Sequence, residues 1–226
     1  MEQTSLKKAK QEPVIQYIFI GGGTSYHGST ANRDRMIALQ FGYQLDRLCA
    51  RHGSDMEIRL VYGGQEGIPE DCLTLWNGRV EILIAKKHAD AREQRRPLNP
   101  DKDRMHILGE RERDRRERFA KYLPYACGFF IQGGPYTADE IKRLMIEKVP
   151  IVPFVGSGGA AGSEIEIEDD HKHDEFIDVM ANTITRCPMS SSTSPNASPE
   201  TIATELAKEC FMACLNNANN NNKEKK

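Results

Sequence analysis

No stretch of the sequence approaches the roughly 18 to 20 consecutive apolar residues that a membrane-spanning helix needs. The N-terminal MEQTSLKKAKQEPV also lacks the apolar centre of a secretory signal. Net charge is nearly absent: 31 Lys and Arg stand against 33 Asp and Glu, a balance of -2, so no global field draws nucleic acid or an anionic membrane. The six cysteines (Cys49, Cys72, Cys127, Cys187, Cys210 and Cys214) form no CxxC pair and share no spacing, which argues against a disulfide scaffold. Cys210 and Cys214 lie four apart on an expected helix and read as packing residues rather than metal ligands. These absences lead to the expectation of a cytoplasmic protein with no metal, no cofactor, and neither nucleic acid nor membrane as partner.

What the 226 residues do contain is one alternating pattern, with 38% apolar residues, enough for a single compact α/β domain. Five β-rich runs, Val14–Ile20, Glu57–Tyr62, Val80–Ala85, Cys127–Gln132 and Val149–Val155, are separated by helical or polar segments. Most are nearly continuous apolar stretches, as strands buried on both faces require. Between the first two, Ile37, Phe41, Leu45 and Leu48 recur at steps of four, four and three, one face of a helix that Ser29 or Thr30 can cap. The expected fold is therefore a doubly wound, Rossmann-like α/β parallel sheet.

The pattern divides the chain into an N-terminal tail (1–13), the α/β domain (14–186), a Ser/Pro-rich linker (187–199), a helix (200–215) and an Asn-rich tail (216–226) expected to be disordered. Within the domain, residues 86–118 are a charged interruption with Pro97 and Pro100, read as a loop followed by a helix. Its interleaved acids and lack of aromatics favour a solvated face over a nucleic-acid surface. The segment Glu164–Phe176, with His171 and His173, reads as an acidic loop rather than a metal site.

In an open parallel sheet a ligand sits at the carboxyl ends of the strands, so the residues after each run are the informative ones. Four of the five runs end in glycine-rich turns: Gly21-Gly22-Gly23-Thr24-Ser25, Gly63-Gly64-Gln65-Glu66-Gly67, Gly133-Gly134-Pro135-Tyr136-Thr137 and Gly156-Ser157-Gly158-Gly159. Glycine lets backbone amides approach an anion, and a following helix N-terminus adds free N–H donors, so four such turns on one edge describe a phosphate cradle. Two familiar fingerprints are missing from the first turn. Tyr26 stands where GxGxxG needs its last glycine, and Ser29 follows Gly28 where a Walker A loop has its lysine.

Val61-Tyr62-Gly63-Gly64 followed by Gly67-Ile68, and Gly133-Gly134-Pro135-Tyr136-Thr137-Ala138-Asp139-Glu140 after a hydrophobic strand, resemble the VYGGGxxGLM and PGGxGTxxE motifs of the LONELY GUY-type phosphoribohydrolases, long labelled lysine decarboxylases. The stretch Gly128–Gly162 is also similar to the cytosolic N-terminal region of melastatin-type transient receptor potential channels. Both belong to the SLOG superfamily of nucleotide-binding, Rossmann-like domains, and the resemblance covers about residues 14–162. It departs from the motif at Gln132, in place of a proline, at Tyr136, in place of a glycine, and in a second turn that is one glycine short.

The resemblance implies hydrolysis of the bond between a base and ribose 5′-phosphate, served by the motif glutamate and an arginine on the preceding helix. Glu140 matches the glutamate; Arg116 or Arg115 lies near the arginine, with Arg116 nearer the motif spacing. The pair makes chemical sense, since a carboxylate can stabilise the developing oxocarbenium ion and orient water while a guanidinium holds an anionic group. A second reading of Glu140 stays open, because Thr137-Ala138-Asp139-Glu140 also has the form of a capping box. The expected function is cleavage of the N-glycosidic bond of a nucleoside 5′-monophosphate. The alternatives are a non-catalytic sensor of an ADP-ribose-like nucleotide and a structural subunit that has kept the fold alone. The expected partner is a nucleotide ligand, with a homodimer as the compatible assembly.

Overall fold

The computed structural model describes residues 13–52, 55–95, 98–162 and 197–223. The loop Glu164–Phe176 with its two histidines, nearly all of the N-terminal tail and most of the 187–199 linker lie outside the described residues. Six strands, β1 (Val14–Gly22), β2 (Met56–Tyr62), β3 (Arg79–Ile84), β4 (Asp103–Ile107), β5 (Tyr125–Ile131) and β6 (Ile151–Phe154), form one sheet in the order β4-β3-β2-β1-β5-β6. Every pairing is parallel. Among the described residues the α-helices are α1 (Ala31–His52), α2 (Ile68–Leu73), α3 (Lys86–Arg95), α4 (Glu112–Tyr122), α5 (Pro135–Ile146), α6 (Gly159–Gly162) and α7 (Pro199–Lys223). They cover both faces of the sheet, as the doubly wound fold expected from the sequence requires.

Each face has its own apolar core. On one, Ile37, Phe41 and Leu45 of α1 are fully buried against Ile18, Ile20, Leu60 and Phe129, and the Phe41 and Phe129 rings stack at 4.0 Å. On the other, Phe119 of α4 and Ile141, Leu144 and Met145 of α5 pack on Phe19, Val61, Leu83 and Phe130. Each of these large side chains contributes about 1.5–3 kcal/mol by leaving water.

Two expectations need correction. The charged interruption is not a loop and a helix but a complete unit, α3 followed by strand β4 and then α4. Strand β4, DRMHI, escapes a hydrophobicity scan because it is a half-exposed edge, and edges favour polar side chains. A polar row ties it on instead. Arg59 Nη1 donates to Glu81 Oε1 at 2.9 Å, Glu81 Oε2 meets His106 Nε2 at 2.6 Å, and His106 Nδ1 meets the Tyr122 hydroxyl at 3.1 Å. Second, α7 continues through Asn216–Lys223, which the sequence assigned to a disordered tail. Helix α7 is an integral layer of the fold, and its two cysteines pack as expected. Ile202, Ala203, Leu206, Ala207, Cys210, Phe211 and Cys214 form a buried stripe that packs on α1, β1, β5 and β6, so Cys210 and Cys214 are core residues.

Candidate functional site

The chain builds outwards from β1 to β4, then returns to the other side of β1 for β5 and β6. Strand order thus reverses between β1 and β5, and a crevice opens at the carboxyl edge of such a switch point. The four glycine-rich turns follow β2, β1, β5 and β6, which are consecutive in the sheet, so all four share that edge. Cross-loop hydrogen bonds join them. The Ile68 amide donates to Gly23 O at 3.1 Å, and the Ala160 and Ala161 amides donate to Gly133 O and Gln132 O at 2.9 and 3.1 Å.

The glycines divide into those that allow close packing and those that face open space. A Cβ at Gly21 would lie 2.2 Å from the Phe130 ring, and one at Gly22 2.8 Å from Ile131 O. At Gly67 it would come within 2.4 Å of the Thr24 carbonyl, with φ at +91°, a combination only glycine accommodates. A Cβ on Gly64 would abut Ile84, one on Gly133 would abut Thr137, and one on Gly23 would lie 3.6 Å from Gly133 Cα. Ser157 is also internal: its Oγ accepts the Gln132 amide at 2.8 Å and donates to Phe154 O at 2.6 Å. By contrast, Gly134 and Gly158 have nothing within 4 Å of a would-be Cβ, and Thr24, Ser25, Gly156 and Tyr136 are exposed along the same edge.

Gln132, standing where the resembled motif has proline, organises the switch point. It is buried with φ at +50°, a backbone conformation that costs a non-glycine residue energy and persists only when its surroundings hold it. Its Oε1 accepts the His27 amide at 3.0 Å, while Nε2 donates to His27 O at 3.2 Å and to Asp34 Oδ2 at 2.7 Å. Asp34, fully buried in the first turn of α1, also accepts from Thr30 Oγ1 at 2.8 Å and from Arg33 Nε and Nη2 at 3.1 Å each. The first and third turns are locked together by this network. The sequence reading missed Asp34, whose signal was an acid four residues after the expected cap Thr30.

Helices α4 and α5 begin at the same edge and bring together the two groups expected to act as a pair. Arg115 Nη2 donates to Glu140 Oε1 at 2.7 Å, and Arg115 Nε donates to Glu112 Oε1 at 2.6 Å. Both Arg115 and Glu140 are buried. Burial raises the Glu140 carboxyl above its ordinary range, and the Arg115 charge only partly opposes this; Arg115 keeps its charge, held by the two carboxylates. The arginine beside Glu140 is therefore Arg115. Arg116, the residue favoured from motif spacing, lies over the Tyr136 ring at 4.4 Å, with Nη1 3.7 Å from Asp139 Oδ2. The two arginines diverge because successive residues of a helix point about 100° apart.

The capping reading of Glu140 is overturned. Helix α5 starts at Pro135 with Gly134 as its N-cap and no side-chain cap, so Thr137 and Glu140 already stand inside the helix. Among the described residues, two buried side-chain polar atoms have no hydrogen-bond partner, Arg115 Nη1 and Arg116 Nε. A Cβ on Gly63 would lie 3.1 Å from Arg115 Nη1, so this donor faces the second glycine turn.

Among the described residues no group of three or more His, Cys, Asp or Glu side chains is placed to hold a metal ion, and no helix is long and apolar enough to cross a membrane. No family model and no curated protein sequence matches the chain. Among solved structures, the X-ray structure of TM1055, a structural genomics target, is similar, with a TM-score of 0.50 and 17% identity over 70% of this chain and 88% of that one. At that identity the likeness shows the fold, and it is the Rossmann-like α/β arrangement described above.

Proposed function

We propose that the glycine edge binds the phosphate and ribose of a nucleoside 5′-monophosphate, and that the protein hydrolyses the bond between ribose and base. The observation that carries this reading is Arg115. Its guanidinium is buried, two of its nitrogens are engaged by Glu112 and Glu140, and Nη1 points unpaired at Gly63. A buried donor without a partner costs about 1–3 kcal/mol, more when charged, and an anionic oxygen placed beside Gly63 would offset that cost. The open Gly134 at the start of α5 offers free amides and the positive end of a helix to the same ligand.

Water would add to the anomeric carbon as the bond to the base breaks, with the bonding electrons leaving on the base. The products are ribose 5-phosphate and the free base, which gains a proton. Positive charge grows on the ribose during this step, and the Glu140 carboxylate can stabilise it and take the proton of the attacking water. Burial raises this carboxyl towards the pH at which proton exchange is most useful. In this reading Arg115 takes the role that motif spacing gave to Arg116: it positions Glu140 and holds an anionic oxygen.

The test is release of free base from AMP, GMP, CMP and UMP, followed by chromatography, with Arg115→Met as control. Release by the unaltered chain and its loss in a folded Arg115→Met support the proposal. One observation favours the competing sensor reading: Glu140 is already engaged by Arg115 and shielded from solvent. A monophosphate that raises the melting temperature but never loses its base would select that sensor.

A further inference from the structure

Tyr136 puts an aromatic ring where the motif it resembles has a glycine, and that ring stands at the glycine edge. The residue is 66% exposed, yet the ring is not free: the Arg116 guanidinium covers it at 4.4 Å from the centroid. Arg116 is held in turn by Asp139, and Asp139 accepts from Arg143 Nε at 3.0 Å, so the ring is braced by a chain of charges anchored on α5. The bracing carries a cost, since Arg116 Nε is buried without a partner.

Tyr136 and Glu140 are four apart on α5 and so share a stripe, with Tyr136 one turn nearer the glycine edge. It directly follows Gly134 and Pro135, at the mouth of the third glycine turn. In the nucleotide reading, with the phosphate on the turns and the anomeric carbon at Glu140, the base would have this ring as its neighbour on α5. An aromatic surface of fixed orientation suits a nucleobase, because stacked π-faces attract and a ring already held in place has little freedom left to lose.

We infer that the Tyr136–Arg116 pair is a base-stacking platform that selects ligands with an aromatic base, purines above all because their faces are larger. This inference rests on the nucleotide reading of the site and adds to it a specificity-determining residue. Its test is calorimetric titration of the chain, Tyr136→Phe and Tyr136→Leu with carbocyclic AMP, whose bond to the base does not cleave, and with ribose 5-phosphate. Because base–aromatic contacts are each worth about 1–3 kcal/mol, Tyr136→Leu should weaken carbocyclic AMP by about fivefold or more and ribose 5-phosphate by less than about twofold, with Tyr136→Phe close to the unaltered chain for both. Equal weakening of both ligands, unchanged affinity for carbocyclic AMP, or tighter binding of it, as an obstructing ring would give, overturns the inference. In those cases the phosphate reading survives so long as Arg115→Met abolishes ribose 5-phosphate binding. Failure of both ligands to bind the unaltered chain overturns the inference and the reading beneath it.

Discussion

Glu140→Gln separates chemistry from architecture at this site. The amide has the shape of the carboxylate, and its oxygen can still accept from Arg115 Nη2, now at 2.7 Å. Arg115 would keep a charged partner in Glu112, whose Oε1 lies 2.6 Å from Nε. The variant loses the attraction between two buried charges but also sheds the penalty of burying a carboxylate. Burial raises the Glu140 carboxyl and the Arg115 charge opposes that rise, so the two changes in the variant act in opposite directions. The stability change at neutral pH should therefore stay within about 1 kcal/mol, a shift in Tm of roughly 2–4 °C for a chain of this size. Glu140→Ala removes the acceptor altogether and should cost about 1–3 kcal/mol.

Turnover should respond quite differently, falling by about 10²–10⁴ in Glu140→Gln if the carboxylate acts as acid or base. The pH dependence adds a sign. A carboxyl raised above its unfolded value of about 4.3 binds its proton more tightly in the folded state, so its contribution is fully present below the unfolded value and is lost as pH rises through the folded one. The difference in melting temperature between the unaltered chain and Glu140→Gln should consequently move in favour of the variant as pH rises. The assays are base release by chromatography and thermal melts from pH 4 to 8, where roughly half of all carboxyls have titrated by the lower limit. Retention of turnover within about threefold would refute a catalytic role, since acid–base groups contribute far more than that. A melting difference moving the other way with pH would refute the electrostatic account.

Three further expectations follow from the packing. Gly134→Val should leave the fold intact, because a Cβ there meets nothing within 4 Å and the backbone is extended, yet it should abolish a thermal shift by AMP if the turn cradles phosphate. Gly21→Ala should behave in the opposite way, lowering the denaturant midpoint by the equivalent of about 1–3 kcal/mol, because its Cβ would sit 2.2 Å from the Phe130 ring in a tightly packed core. Leu206→Ala on α7 should cost about 2–5 kcal/mol in the same denaturation assay, since that side chain is fully buried; a loss below about 0.5 kcal/mol would show that α7 is not an integral layer.

The strand runs and the α1 periodicity were legible in the sequence because burial on both faces leaves a continuous apolar record, as in YIFI and RLVY, and a single buried helix face leaves one at steps of three and four. The four glycine turns were legible too, since runs of glycine directly after a strand stand out in composition; which of them pack closely and which face open space was not. Strand β4 was not, for an edge held by Glu81, His106 and Tyr122 has no apolar signature. Nor was the full length of α7, where an Asn-rich composition masked a helix stabilised upstream by its stripe on the sheet.

At the site the division is sharper. The resemblance of residues 133–140 to a known motif led to the expectation that Glu140 lies near an arginine before β5, and left open which arginine that is. Which arginine meets the glutamate depended on the rotation of α4 relative to α5, and on the choice of Gly134 rather than Thr137 as the cap of α5. The joining of Gln132 to Asp34, 98 positions away, was equally beyond sequence order. Such contacts are set by how two elements settle against a shared sheet, where a rotation of one residue on a helix exchanges a buried ion pair for a stacked surface ring.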